Sequence, residues 1–169
     1  MKKTIKIIVS GDGGVGKTSF LNRLVHDSFD ANSQLTRGVD FYSKIIAVNG
    51  TEFNFIMWDF AGQYQFKTFL NGFVDGSLAA IILFDLTRIN TIENVQEWIV
   101  TLKEFGTIPI LLIGTKKDLV NPYESLSIDE FISEIKKEYE NIISYVKISS
   151  KTGENIKTAF EILIEKLSF

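Results

Sequence analysis

Cysteine is absent from all 169 residues, so neither a disulfide framework nor a Cys-ligated metal site can form, and a reducing cytoplasmic setting is the expected home. The same absence leaves no acceptor for prenyl or palmitoyl groups, and Lys2 rather than glycine follows Met1, which removes the myristoylation signal. No lipid anchor is expected in this chain, and any anchor-bearing tail would lie beyond it. Histidine occurs once, His26, at the end of a predicted helix; with no second ligand beside it, it reads as a cation favoured near a helix C-terminus. There is no excess of positive charge. Eighteen Lys and Arg face 21 Asp and Glu, for a net charge of -3, which gives no footprint for a phosphate backbone, so no nucleic-acid partner is expected. Long apolar runs are missing too: the longest, LAAIILF at 78–84, is far too short to span a bilayer. The opening MKKTIKIIVS runs straight into glycines, with no signal-peptide core or cleavage site. No Pro/Ser-rich linker, low-complexity segment or repeat divides the chain, and 1–169 is expected to form one domain.

What is present is a 45% hydrophobic chain, enough to fill one sizeable core. Short β-branched runs alternate with longer amphipathic stretches, the pattern of an α/β protein built from βαβ units. Strands are predicted at Ile5 to Ser10, Phe41 to Val48, Glu52 to Asp59, Leu78 to Asp85, Ile108 to Thr115 and Ser144 to Ser149. Asn49-Gly50 between the second and third is a hairpin signal, because both residues tolerate positive φ, so one edge of the six-stranded, otherwise parallel sheet should be antiparallel. Helices are predicted at Gly16 to Asp27, after Gln65, at Thr91 to Phe105, at Ile128 to Tyr139 and at Glu154 to Leu167, covering both faces. In such sheets ligands sit beyond the carboxyl ends of the strands.

Three motifs fall at those ends. GDGGVGKT contains Gly11, Asp12, Gly13, Gly14, Val15, Gly16, Lys17 and Thr18, with Ser19 behind it, and fits G-x-x-x-x-G-K-[ST] between a strand and a helix. Its glycines let backbone N–H groups wrap an anion at a helix N-terminus. Lys17 would reach the β- and γ-phosphates and the Thr18 hydroxyl would ligate Mg²⁺. TKKD, Thr115 to Asp118, follows IPILLIG. A carboxylate at Asp118 can accept two parallel hydrogen bonds from the N1–H and 2-amino group of guanine, whereas adenine would leave it unpaired. The stem of Lys116 could cover a ring face. Alone, TKKD reads equally well as a solvated turn; downstream of a phosphate loop it reads as a base-recognition segment. WDFAGQ, Trp58 to Gln63, ends the third strand. There Asp59 can hold a magnesium water, Gly62 can offer its N–H to a γ-phosphate, and Gln63 can orient an attacking water.

With these segments the chain resembles a small GTPase of the Ras superfamily over its whole length, which implies a P-loop NTPase G domain. Thr36 follows Lys17 by 19 positions and Asp59 by 42, as in Ras-like proteins. TRGVDF, Thr36 to Phe41, is similar to the first switch of Rab proteins, the phosphate loop resembles that of Rac, and WDFAGQ resembles that of Roco GTPases. This mixture points to a deep-branching or prokaryotic member. The resemblance implies that Thr36 ligates Mg²⁺ and senses the γ-phosphate, and that Phe29 packs against the guanine. It also implies that SSKTG, containing Ser149, Ser150 and Lys151, carries the backbone that bonds guanine O6. Lys17, Thr36 and Gln63 form the catalytic set, and Thr18, Thr36 and Asp59 the metal set. Departures from the family are Ser33 for an aromatic residue, Phe60 for Thr, Tyr64 for Glu and Thr115 for Asn. No arginine precedes Thr36 in the first switch, so hydrolysis should be slow until an activating protein supplies one.

The expected activity is GTP hydrolysis by a monomeric switch, with an exchange factor, an activating protein and effectors engaging residues 30–41 and 60–75. Two rivals remain: a module that holds nucleotide without hydrolysing it, and an adenine-specific P-loop enzyme. Phe66, Phe69 and Phe73 have helical spacing and read either as core or as a docking surface. Lys136 and Lys137 read as a solvated helix face.

Overall fold

The computed structural model describes residues 3–62 and 72–167. Six strands, β1 (Lys3–Ser10), β2 (Val39–Val48), β3 (Thr51–Phe60), β4 (Ala79–Asp85), β5 (Ile110–Thr115) and β6 (Ile142–Lys147), form one sheet in the order β2-β3-β1-β4-β5-β6. Every neighbouring pair is parallel except β2 and β3. That antiparallel edge arises as the dipeptide predicts: Asn49 and Gly50 have φ of 51° and 77°, and Val48 pairs with Thr51 across a two-residue turn. The described helices are α1 (Lys17–His26), α2 (Ile89–Glu93), α3 (Val95–Lys103), α4 (Pro122–Glu138) and α5 (Ile156–Lys166).

Strand alternation divides the core in two. Ile7, Val9, Ile81, Leu83, Leu111 and Ile113 face α1 and α5, where Phe20, Leu21, Phe160 and Leu163 meet them. Ile8, Ala80, Ile82, Phe84 and Leu112 face the other way, onto Ile92 of α2, Trp98 and Ile99 of α3, and Ile132 and Ile135 of α4. All seven residues of β4 are buried, because a strand with helices on both faces has no solvent side. Each fully buried Ile, Leu or Phe contributes roughly 1.5–3 kcal/mol, so the two layers hold the sheet rigid beneath the loops at its carboxyl edge.

Two helices differ from expectation. The stretch Thr91 to Phe105 is not one helix: it begins at Ile89, is interrupted at Asn94 and ends at Lys103. Gly106, at φ 121°, takes the left-handed turn that stops it, with its N–H on Lys103 O. Helix α4 begins six residues before the predicted Ile128. Asn121 caps it by accepting from Tyr123 N at 2.8 Å, and Pro122 occupies the first turn, where no N–H is needed. The helix predicted after Gln65 lies outside the described residues, as do Gln63, Tyr64, Phe66 and Phe69.

Candidate functional site

β1 is the strand at which the sheet order turns, with β3 on one side and β4 on the other, and the glycine loop leaves its carboxyl end. Gly11 has φ 137°, and a Cβ there would lie 2.1 Å from Leu83 O, so only glycine lets the chain leave β1 so close to β4. Lys17, 5% exposed, donates from Nζ to Gly11 O at 2.9 Å and Asp12 O at 2.8 Å. An ammonium carries three N–H donors, and no described residue takes the third. Burial lowers the Lys17 pKa to about 8, against the raising influence of Asp59 and Asp12.

Beside it, three hard oxygens converge. Thr18 Oγ1 lies 2.6 Å from both Thr36 Oγ1 and Asp59 Oδ2, and Thr36 Oγ1 lies 3.5 Å from the same carboxylate oxygen. Asp59 is wholly buried, and its Oδ1 has no partner among the described residues. Burial pushes its carboxyl up to about 6 despite the Thr18 hydrogen bond and Lys17. One carboxylate and two hydroxyls fit a small divalent cation that keeps waters and takes its remaining ligands from phosphate, as Mg²⁺ does. No cluster of three or more His, Cys, Asp or Glu exists among the described residues, so an all-protein cage of that kind is absent there.

These groups bound one end of a cavity of about 440 Å³, a volume suited to a small organic ligand. Its wall runs from Gly13 through Ser19, past Phe29, Ser33, Leu35, Thr36 and Gly62, and on through Thr115 and Lys116, beside the glycine loop, to Asp118, Ser150 and Lys151. Gly62 is in backbone contact with the glycine loop: a Cβ there would lie 2.3 Å from Gly13 N. At the far end Asp118 Oδ1 accepts from Ser149 Oγ at 2.7 Å, and Thr152 N–H donates to the same hydroxyl at 3.1 Å. Thr115 does not line the wall by chance: its hydroxyl lies 2.5 Å from Val15 O and 3.0 Å from Phe84 O, tying β5 to the glycine loop. Lys116 takes a left-handed φ of 60° and reaches Asp85 Oδ2 at 2.6 Å. Such strain at a non-glycine residue is held in place by its surroundings.

Of the sequence-predicted residues, Gly11, Asp12, Asp59 and Ser149 stand behind the wall, and Gln63 lies outside the described residues. The Asp12 carboxylate faces α3, accepting from Trp98 Nε1 at 2.8 Å and Asn94 Nδ2 at 2.7 Å. Sequence reasoning missed these two donors, and it missed Arg88, whose Nη2 donates to Gly13 O at 2.8 Å while Nε meets Asp85 Oδ2 at 3.1 Å. Burial alone would raise the Asp85 carboxyl, but Lys116 and the Thr87 hydroxyl and amide outweigh it and hold the pKa below the usual value. It also missed the ring cluster around half-buried Trp58: its ring lies 4.7 Å edge-on from exposed Phe41 and 5.6 Å from Phe73, with Lys6 Nζ 3.9 Å over it. Phe60 packs into the same group as a core residue, 5.9 Å from Phe73.

The glycine loop leaves the carboxyl end of β1, where the sheet order turns, and runs into α1 with Lys17 buried behind it, which is the architecture of a P-loop domain. The sequence profile described as the Ras family matches residues 6–169. Ras-related protein Rab-34 of Sus scrofa is 37% identical over 161 residues, 94% of this chain and 61% of that protein. RABA5e of Arabidopsis thaliana is 35% identical over 94% of this chain and 72% of its own length, and Rab-18 of Lymnaea stagnalis 32% identical over 97% and 80%. The chain therefore belongs to the Ras family of small GTPases. It spans about three fifths of the length of Rab-34.

Proposed function

We propose that this chain binds GTP and GDP with Mg²⁺, hydrolyses GTP slowly, and acts as a molecular switch. The observation that carries the reading is the meeting of Thr18, Thr36 and Asp59 oxygens beside Lys17, at a cavity whose wall Asp118 shares. In this reading the loop amides and the third N–H of Lys17 hold the β- and γ-phosphates. Thr18 and Thr36 would ligate the cation and Asp59 would hold one of its waters; the ion would supply neutralisation of charge on the β- and γ-phosphate oxygens. Asp118 pairs with the N1–H and 2-amino group of guanine, and Gln63 orients the attacking water. In this reading Thr36, 2.6 Å from Thr18, and Gly62, against Gly13 of the glycine loop, would sense the γ-phosphate, so loss of that group would release both switch segments.

Slow intrinsic turnover is supported by where the arginines are. The chain has three: Arg23 on α1, bonded to the 149–153 loop, Arg88, bonded to Asp85 and Gly13 O, and Arg37 beside Thr36. Arg23 and Arg88 are thus engaged outside the cavity wall. In Ras-like GTPases an arginine supplied by an activating protein is worth roughly 10³–10⁵ in rate. Effectors would dock through residues 30–41 and 60–75, where Leu35 and Phe41 are more than half exposed beside Trp58. The protein would act as a monomer in the cytoplasm, reaching membranes through partners; no described helix is long and apolar enough to cross one.

The test is the nucleotide released by acid from freshly purified protein, followed by single-turnover decay of loaded GTP. Bound GDP and slow decay that Gln63→Leu abolishes are expected. Persistent GTP would refute hydrolysis, and displacement of labelled GTP by ATP would refute the guanine assignment.

A further inference from the structure

We infer that Arg23, a residue of α1 bonded to none of the groups assigned to phosphate or cation, is the positioning residue for reading the C6 oxygen of guanine, an inference that rests on the guanine reading above. Its Nε donates to Ser150 O at 2.8 Å and its Nη2 to Lys151 O at 2.7 Å, across 127 and 128 positions of sequence. The remaining carbonyl of the turn, Ser149 O, accepts from Gly153 N at 2.9 Å. All three carbonyls are therefore anchored. A trans peptide sets each N–H antiparallel to the preceding carbonyl. Anchoring Ser149 O and Ser150 O thereby aims the N–H groups of Ser150 and Lys151 the opposite way, and these two residues line the base end of the cavity.

Arginine suits this task because its planar fork presents two N–H vectors in a fixed relation, which a lysine ammonium does not. The side chain is 18% exposed; its bond to Ser150 O is part-buried, and its bond to Lys151 O lies at the surface. Among the described residues no other donor holds Ser150 O or Lys151 O, and Arg23 carries that half of the turn alone. The other base-reading group, Asp118, is held separately, through Ser149 Oγ. Arg23 and Asp118 thus govern different atoms of the base, and their contributions can be separated.

The experiment compares the binding of GDP, 6-thio-GDP and IDP to the full chain with Mg²⁺, in the native sequence and in Arg23→Ala and Arg23→Lys. Sulfur at C6 is a weak acceptor but leaves the N1–H and 2-amino group in place, whereas IDP lacks only the 2-amino group. In the native protein 6-thio-GDP should bind roughly 10-fold more weakly than GDP, the loss of one hydrogen bond. In Arg23→Ala that penalty should fall to about threefold or less, with GDP itself released roughly 10-fold faster, while the IDP penalty stays within about twofold of native. Arg23→Lys, which keeps the charge and loses the fork, should behave like Arg23→Ala and serves if the alanine variant folds poorly. Asp27→Ala, which removes only the exposed Asp27 carboxylate from Arg23, should leave both penalties as in the native chain. An unchanged 6-thio penalty in the Arg23 variants, or no such penalty in the native protein, overturns the inference. Native protein that binds ADP as tightly as GDP would instead overturn the guanine reading itself.

Discussion

Asp12→Ala removes a side chain that the sequence assigns to the phosphate loop but the structure turns outward. Its carboxylate accepts from Trp98 Nε1 and Asn94 Nδ2, both within 2.8 Å, and so fixes the loop to the start of α3. Hydrogen bonds to an ionised group are worth about 1.5–3 kcal/mol each, and the two together would reach about 3–6 kcal/mol if wholly buried. The contacts are only partly buried, so water recovers some of this and a net loss of about 3 kcal/mol is expected. For a chain of this size each kcal/mol moves Tm by about 2–4 °C, giving a drop of about 6–12 °C. The assay is thermal unfolding with GDP and Mg²⁺ at fixed excess, because bound ligand shifts Tm by mass action. Asp12→Asn keeps one acceptor oxygen and should recover about half of the loss. A Trp98→Phe, Asp12→Ala double variant should lose less than the sum of the two single losses, since both remove one shared contact. Asp12→Ala melting within about 1 °C of native would refute the reasoning.

Gly11→Ala sets a Cβ 2.1 Å from Leu83 O at φ 137°, so β1 and β4 must separate; more than about 4 kcal/mol should be lost, and soluble protein with a native denaturation midpoint would contradict this. Asp85 has a folded pKa below the ordinary 3.8, so its stabilisation is present above that pH and disappears as acid carries the protein through the lower folded value. Urea unfolding of Asp85→Asn should therefore show a deficit at pH 7 that shrinks toward pH 3, and a deficit independent of pH would exclude the linkage. Thr36→Ala removes one of the three converging oxygens, and Mg²⁺ titration of the GTP-loaded protein should need roughly 10-fold more metal or greater; an unchanged midpoint would remove Thr36 from the cation set.

What the sequence makes legible here is what depends on neighbours in the chain. The glycine loop and the Asn49-Gly50 turn are each set by local φ requirements, and both stand where their residues put them. The outward course of Asp12 is not local: it depends on Asn94 and Trp98, 82 and 86 positions away, and nothing in GDGGVGKT announces them. The same bond bears on the break between α2 and α3. Apolar periodicity runs through Asn94, so the pattern predicts one helix, yet asparagine competes for hydrogen bonds outside the helix and here finds a carboxylate to satisfy. The early start of α4 was legible, because Asn121-Pro122 is a cap followed by a proline in the first turn; apolar spacing alone concealed it. Phe60, a departure from the family at the second switch, takes its meaning from Phe73 and Trp58, partners that only the folded sheet supplies.

These long-range ties share a geometry. α1 spans ten residues, about 15 Å at 1.5 Å per residue, with Lys17 and Thr18 at its start and its C-cap Asp27 two residues before Phe29. Arg23 projects from the same helix to the turn at the base end, and Thr115 ties that end back to Val15 in the glycine loop. The glycine loop and the 149–153 turn are therefore not two independent loops; one packed helix, with Phe20 and Leu21 buried beneath it, sets the separation between them.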